Sequence, residues 1–314
     1  MNTNARPELL ELLYDCTLCP RNCHANRVSG KTGYCRSDAS LNISAICIHK
    51  GEEPVISGRN GICNIFFTNC NLQCIFCQNH QISNRYISRN LSAMNLEDVV
   101  SEVAAILDTG INMVGFVSPS HFIPQMLIII EAIRSSGYNP KWVYNSNGYD
   151  KPESLRMLEG IIDVYLPDLK YMDELLALEL SDAKDYPDFA CMALKEMFKQ
   201  KGSTLVLSKD ETADSGLIIR HLVLPGQVEN SLRIMRFIAE ELSPRVHVSL
   251  MSQYYPVPRV SNHPFLNRGV SNDEYNIIVE EMELLGMTKG WIQDFESMEH
   301  YRPDFTNTHP FENQ

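Results

Sequence analysis

The feature that most constrains this chain is the stretch Asn69-Cys70-Asn71-Leu72-Gln73-Cys74-Ile75-Phe76-Cys77-Gln78-Asn79, with its cysteines spaced Cys-x-x-x-Cys-x-x-Cys. A fold must present three thiols on one short loop and shelter whatever they hold. Three thiolates can each hold one iron of a cubane 4Fe–4S cluster. The fourth iron then lacks a protein ligand unless a distant residue supplies one. By the logic of open catalytic metal positions, that iron can bind a small molecule and pass it an electron. Phe76, directly before the last cysteine, would keep one side of the cluster dry. The competing readings are a zinc site or buried packing. Zinc usually takes four tetrahedral ligands and favours Cys-x-x-Cys pairs, so this spacing favours the cluster.

A second group precedes it: Cys16-Thr17-Leu18-Cys19-Pro20-Arg21-Asn22-Cys23, with Cys35 following in Gly33-Tyr34-Cys35-Arg36. A loop this rich in Gly, Ser and Asn buries little and would gain much of its order from a metal. A structural zinc knot and an auxiliary iron–sulfur cluster both fit, and partly buried free thiols fit less well. His24 or His49 could replace one ligand. Cys47, Cys63 and Cys191 lie in apolar surroundings and read as packing residues. Ten cysteines, with no apolar signal core in Met1 to Arg6, point to metal or cluster chemistry in a reducing, cytoplasmic compartment. Acidic side chains outnumber basic ones 39 to 27, for a net charge of −12, which argues against nucleic acid as a partner. No apolar run approaches the roughly 20 residues that span a bilayer, so no membrane partner is expected.

From residue 61 the pattern alternates between strand and helix. Strands are expected at Ile62 to Thr68, Ile111 to Val117, Trp142 to Asn145, Ile161 to Leu166, Leu217 to Leu224 and Val246 to Met251. A helix capped by Asn95 runs to Leu107, and another runs from Pro124 to about Ser136. Further helices span Pro152 to Leu158 and about Met172 to Lys201, the latter broken near Pro187. Asn230 caps one to Leu242 and Ser271 caps the last, to Leu285; Trp291 to Phe295 is a candidate edge strand. Six strand–helix units with right-handed crossovers give an α/β fold, a partial (β/α)6 TIM-like barrel. Polar clusters follow nearly every strand, where such barrels hold their chemistry. The expected organisation is a Cys-rich segment over residues 1–60, a barrel over 61–260, and a C-terminal helix and tail over 261–314.

The cysteine spacing with Phe76 resembles the signature of the radical S-adenosylmethionine (SAM) superfamily. That resemblance implies a 4Fe–4S cluster on Cys70, Cys74 and Cys77 whose open iron is chelated by SAM. It implies reductive cleavage of SAM to a 5′-deoxyadenosyl radical that abstracts a hydrogen atom, with an electron donor such as flavodoxin or ferredoxin. The core further resembles the glycyl-radical activating enzymes typified by the pyruvate formate-lyase activating enzyme. Asp168-Leu169-Lys170 resembles their Asp-x-Lys element, in which the Lys meets the SAM carboxylate. Asn145-Ser146-Asn147-Gly148 resembles their Thr-Asn-Gly turn near the SAM amino group, and Arg220 to Gly226 resembles their fifth strand. Ser118-Pro119-Ser120-His121 stands where a Gly-Gly-Glu element is usual. No His matches the ribose-binding one after the sixth strand, and Gln253 or Tyr254 stands there. With His49 to Pro54 (His-x-Gly-Glu-Glu-Pro) and Tyr165 to Tyr171, the whole chain looks most like the pyruvate formate-lyase activating enzyme-like subgroup.

Asp168 and Lys170 alternate onto one side of the chain beside the cysteine loop, although a surface ion pair is the usual fate of such residues. Ser118 and His121 could instead cap the next helix. Arg220 and His221 face opposite ways on a strand, and Arg220 is expected inside. Ser118, Asn145, Asp168, Lys170, Arg220 and Gln253 are thus the expected cofactor-binding residues. The expected function is a radical SAM oxidoreductase that activates a glycyl-radical enzyme. The alternatives are a small-molecule or peptide substrate, or a non-catalytic iron–sulfur carrier or metal-binding interaction protein.

Overall fold

The computed structural model describes residues 7–84, 93–295, 303–307 and 309–311. Its strands are β1 (Ile43–His49), β2 (Ile62–Phe67), β3 (Met113–Val117), β4 (Lys141–Asn145), β5 (Val164–Tyr165), β6 (Val206–Leu207), β7 (Ala213–Leu222), β8 (His247–Met251) and β9 (Gly290–Ile292). They lie in the order β1-β2-β3-β4-β5-β7-β8-β9, with β6 paired to β7. From β2 to β9 the neighbours run parallel, while β1 on β2 and β6 on β7 are antiparallel. Among the described residues no pairing joins β9 to β1, so the α/β sheet stays open as a partial barrel.

The six expected strands are β2, β3, β4, β5, β7 and β8, in their expected order. The edge strand β1 is an addition. A register shift between Ile43 and Ala45 breaks its alternation, which removes the period-two signal that marks a strand. β1 also joins part of the Cys-rich segment directly to the sheet.

Alternation gives the sheet two different faces. Outward residues such as Ile65, Phe116, Trp142, Tyr144, Ile219 and Leu250 join one large apolar core with Val99, Val103, Ile129, Ile130 and Ile133 of the helices Leu96–Leu107 and Ile123–Ser135. Inward residues fall in layers. Ile62, Met113, Val143, Val164 and Ile218 form an apolar floor with Ile56 of the short helix Pro54–Ser57. One step along the strands the interior turns polar, at Asn64, Asn145, Arg220 and Ser249. Gly115 makes room there, since a Cβ on it would fall 2.2 Å from Asn64 Oδ1.

The helix caps follow their sequence signals in part. Asn95 accepts from the Asp98 N–H at 2.8 Å, and Ser271 forms a capping box with Glu274. The break in the fourth helical region precedes Pro187. Helix Glu174–Ser181 ends at left-handed Asp182, and Pro187 lies in the first turn of helix Tyr186–Lys201, where a missing N–H is tolerated. Asn230 is not a cap but lies in the first turn of helix Val228–Phe237. Its side chain accepts from the Met172 N–H at 2.8 Å and donates to the Lys170 carbonyl at 2.9 Å, which pins the loop after β5. Met1 to Arg6 and residues 312–314 lie outside the described residues.

The turn after β4 touches the turn after β5 backbone to backbone. Gly148 has φ +81°, and a Cβ there would fall 2.1 Å from the Asp168 carbonyl oxygen. Gly148→Ala should cost about 3 kcal/mol or more in urea unfolding. Gly110→Ala, at φ +95° with no atom within 4 Å, should cost only the roughly 1–2 kcal/mol of a left-handed Ala. Equal losses would show that the Gly148–Asp168 approach does not constrain the site.

Candidate active site

The carboxyl ends of the strands open into a cavity of about 490 Å³, within the usual range for small-molecule sites. Cys70, Cys74 and Cys77 line it together with Ser118, Asn145, Asp168, Lys170, Arg220 and Gln253, so the residues expected from sequence share one space. The cysteine loop is tied down on several sides. The Ile75 N–H donates to the Leu180 carbonyl at 2.9 Å, Asn71 Nδ2 to the Tyr149 carbonyl at 2.8 Å, and Arg21 Nε to the Asn71 carbonyl at 2.9 Å.

Each thiol meets a hydrogen-bonding group. Cys70 Sγ accepts from Asn147 Nδ2 at 3.2 Å and from the Leu72 N–H at 3.4 Å. Cys74 Sγ accepts from the Ser181 hydroxyl at 3.0 Å, and Cys77 Sγ lies 3.2 Å from the Ser83 hydroxyl. Burial, reinforced by the other loop cysteines, pushes the Cys70 thiol up to about 12 and Cys77 to about 11. A cation at the loop is what would stabilise their thiolates. Three sulfurs on one loop, each with its own hydrogen-bonding group, fit a 4Fe–4S group, whose thiolates bind separate irons.

A belt of charge stands beside the loop. Lys170 Nζ lies 2.6 Å from Asp168 Oδ2, with both side chains under a fifth exposed. The pair is therefore internal, not a surface ion pair. Arg220 reaches three partners: Asp168 Oδ1 through Nε at 3.1 Å, Glu52 Oε2 through Nη1 at 3.0 Å, and Asn145 Oδ1 through Nη2 at 2.6 Å. Burial alone would raise the Asp168 carboxyl, but Lys170 and Arg220 outweigh it and hold it below the usual range. Burial likewise disfavours the Lys170 ammonium, and Asp168, Cys74 and Cys77 together raise it instead. Lys170 thus stands close enough to the cysteine loop to feel its charge.

Ser118 holds a left-handed conformation (φ +54°) and donates its N–H to the Asn145 carbonyl at 2.8 Å. It makes no capping side-chain bond, and its side chain faces the cavity. His121 also turns away from any cap: it is buried, and Nε2–H donates to the Thr68 carbonyl at 3.1 Å. Gln253 links β8 to the loop, its carbonyl accepting from Gln78 Nε2 at 3.1 Å. Tyr254 points elsewhere, its hydroxyl donating to the Leu266 carbonyl at 2.6 Å. His221 lies on the outer face between the Leu169 carbonyl and the Ser231 hydroxyl.

Sequence reasoning missed Glu52 and Glu53. Glu52 also accepts from Asn64 Nδ2 at 2.9 Å, and Glu53 is buried with an unpartnered Oε2. The signal was present in His-x-Gly-Glu-Glu-Pro, but only the fold carries that segment under the strand ends. Cys16, Cys19, Cys23 and Cys35 do not line this cavity; with His121 they line a separate, smaller one. His24 pairs with Asp15 at the surface, and His49 packs against the tilted ring of Phe311 at the main cavity, so neither is among the residues lining the second space. Pro303 and Phe311 of the C-terminal tail line the main cavity.

Burial raises the Glu53 carboxyl above its ordinary value, opposed by Arg220 and aided by Glu52. The folded state then holds a proton that the unfolded chain loses near pH 4.3, so Glu53 reduces stability as pH rises through the folded value. The thermal midpoint of Glu53→Gln should match wild type near pH 4.5 and exceed it at pH 8. An equal difference at both pH values would show that Glu53 is an ordinary ionised carboxylate.

The family profile described as "Radical SAM superfamily" matches residues 64–238. The uncharacterized protein MJ0674 of Methanocaldococcus jannaschii is 30% identical over 293 residues, covering 88% of this chain and 79% of the relative. The FeFe-hydrogenase maturase HydG from Carboxydothermus hydrogenoformans superposes with a TM-score of 0.50 at 14% identity, over 76% of this chain and 55% of that one. Native anSMEcpe with bound AdoMet gives a TM-score of 0.46 at 12% identity, over 71% and 61%. The chain thus spans less than two thirds of these solved structures, and the likeness is one of fold.

Proposed function

The chain belongs to the radical SAM superfamily, and on that premise we propose that it splits SAM within the strand-end cavity and uses the resulting radical to abstract a hydrogen atom from a substrate. The family implies a 4Fe–4S cluster and SAM. The observation that carries the reading is that Cys70, Cys74 and Cys77 share one cavity with the Asp168–Lys170 pair. A non-catalytic carrier would have no use for that pair.

In this reading Cys70, Cys74 and Cys77 hold the cluster. When bound, it supplies the one-electron reduction that cleaves the SAM sulfonium. Lys170 meets the SAM carboxylate, and the carboxylate side of the belt attracts its ammonium. Asn145, Ser118, Arg220 and Gln253 complete the SAM site. Arg220 keeps Asp168, Glu52 and Asn145 in fixed positions, so the polar groups are oriented before the cofactor arrives. The apolar floor and Phe76 keep water from the reacting centre. Flavodoxin or ferredoxin is the donor class.

Resemblance favours a backbone glycine of a partner glycyl-radical enzyme as the substrate. A small molecule or peptide is the second reading, favoured by the tail residues Pro303 and Phe311 that line the cavity.

Anaerobically reconstituted wild type, reduced with dithionite, should form 5′-deoxyadenosine from SAM, and Cys74→Ala should form none. Lys170→Ala should keep its iron but bind SAM about tenfold or more weakly by equilibrium dialysis, the loss of one buried charge-assisted hydrogen bond. A cluster-loaded protein that does not bind SAM would sink the proposal.

A further inference from the structure

The N-terminal cysteines form a second constellation that SAM chemistry in the barrel does not require. Cys16, Cys19, Cys23 and Cys35 come from one stretch of loop, closed by the bridge between Cys16 and Ala25. Together they line one small cavity of about 10 Å³, space for about one water. Cys19 lies within electrostatic reach of the other three. Each sulfur also meets a donor. Cys23 Sγ accepts from the Tyr34 N–H at 3.2 Å, and Arg27 Nη1 lies 3.8 Å from Cys16 Sγ. Cys19 receives the backbone N–H of Arg21, and Cys35 receives both the backbone N–H and the hydroxyl of Ser37. Gly33 lets the chain pass close to one of them, since a Cβ there would fall 2.6 Å from Cys23 Sγ.

Two further features point to a bound cation. His121 is 1% exposed and lines the same cavity. Its Nε2–H donates to the Thr68 carbonyl, which leaves Nδ1 of the neutral ring as a bare acceptor, and no donor meets it. A lone pair set among sulfurs is favourable only if a cation stands there with it. Arg27 is also 1% exposed, and its donors go to the carbonyls of Asp38 and His121. Among the described residues no carboxylate pairs with it. A buried cation needs a counter-charge, and the cysteine sulfurs supply one only as thiolates. Four thiolates outweigh a divalent ion, so their complex stays anionic and answers Arg27.

We propose that Cys16, Cys19, Cys23 and Cys35 hold one zinc ion as four thiolates, a site that fixes the N-terminal loop against the barrel. Four cysteines from one loop, the first two spaced Cys-x-x-Cys, make the donor set of a closed tetrahedral zinc site. Size decides against a cluster: room for about one water takes a single ion but not the eight-atom core of a 4Fe–4S group. Among the described residues no three His, Cys, Asp or Glu side chains already stand gathered on one point. Zinc would draw the sulfurs inward, which rotation about χ1 allows without moving the backbone. The loop it orders meets the barrel through several bonds. Arg21 Nε donates to the Asn71 carbonyl of the first cysteine loop at 2.9 Å, and Arg27 Nη1 to the His121 carbonyl at 2.6 Å. Lys151 Nζ donates to the Thr17 carbonyl at 3.0 Å, and the Ser154 hydroxyl to the Leu18 carbonyl at 2.6 Å.

The test removes the first site and measures what stays. The full-length variant Cys70→Ala/Cys74→Ala/Cys77→Ala, produced and purified anaerobically with iron and zinc both supplied, should carry about one zinc per chain and no iron. Adding Cys19→Ser and Cys35→Ser should remove the zinc. A triple variant that carries iron instead, or no metal, would overturn the proposal. If the triple variant does not fold, the wild type decides. Reconstituted anaerobically with iron and sulfide, it should hold about four irons and one zinc per chain, and a wild type without zinc overturns the proposal. The triple variant cannot cleave SAM, so its zinc content is independent of whether the barrel performs that reaction.

Discussion

One guanidinium holds the interior of the barrel together. Arg220 sits on β7 and bonds at once to Asp168 after β5, to Asn145 at the end of β4, and to Glu52 on the segment that enters from β1. Its own backbone pairs with the chain on either side of Asp168, donating to the Pro167 carbonyl and accepting from Leu169, each at 2.8 Å. Arg suits this position because its planar fork satisfies three acceptors in fixed directions, which an ammonium cannot do. Removing it would leave buried Glu52 without a counter-charge and Asp168 with Lys170 alone, a change that typically costs about 3–5 kcal/mol.

Such a belt is a weak source of stability, because desolvating the charges offsets most of their attraction. Its value is positional. It fixes carboxylate and ammonium groups beside Cys70, Cys74 and Cys77. Stability comes from elsewhere, from the outer face of the sheet against the helices and from the floor around Ile56. Period-two alternation makes this division possible, since every strand offers one side to packing and the other to the site.

The two cysteine groups stand in different settings. In each, the sulfurs meet N–H or O–H groups and burial disfavours the bare thiolate. The first loop faces the large cavity and stands beside a cation, Lys170, which has its own carboxylate. The N-terminal group is closed off around a cation, Arg27, that has none among the described residues.

The order of the six parallel strands, the cysteine loop after the first of them, and the sharing of one cavity by Ser118, Asn145, Asp168, Lys170, Arg220 and Gln253 were legible in the sequence. Strand periodicity and right-handed crossovers bring successive strand ends to one side, so residues just after strands must meet. What tertiary structure alone decided were contacts made across the chain. Glu52 reaches Arg220 over 168 positions, and His121 meets the N-terminal cysteines from the far side of β3. Asn230 reads locally as a cap but holds Lys170 and Met172 across the barrel wall. A local signal states which bond a side chain can make. Which partner it finds depends on what the curled sheet places within about 3 Å of it, and no short window of sequence contains that distance.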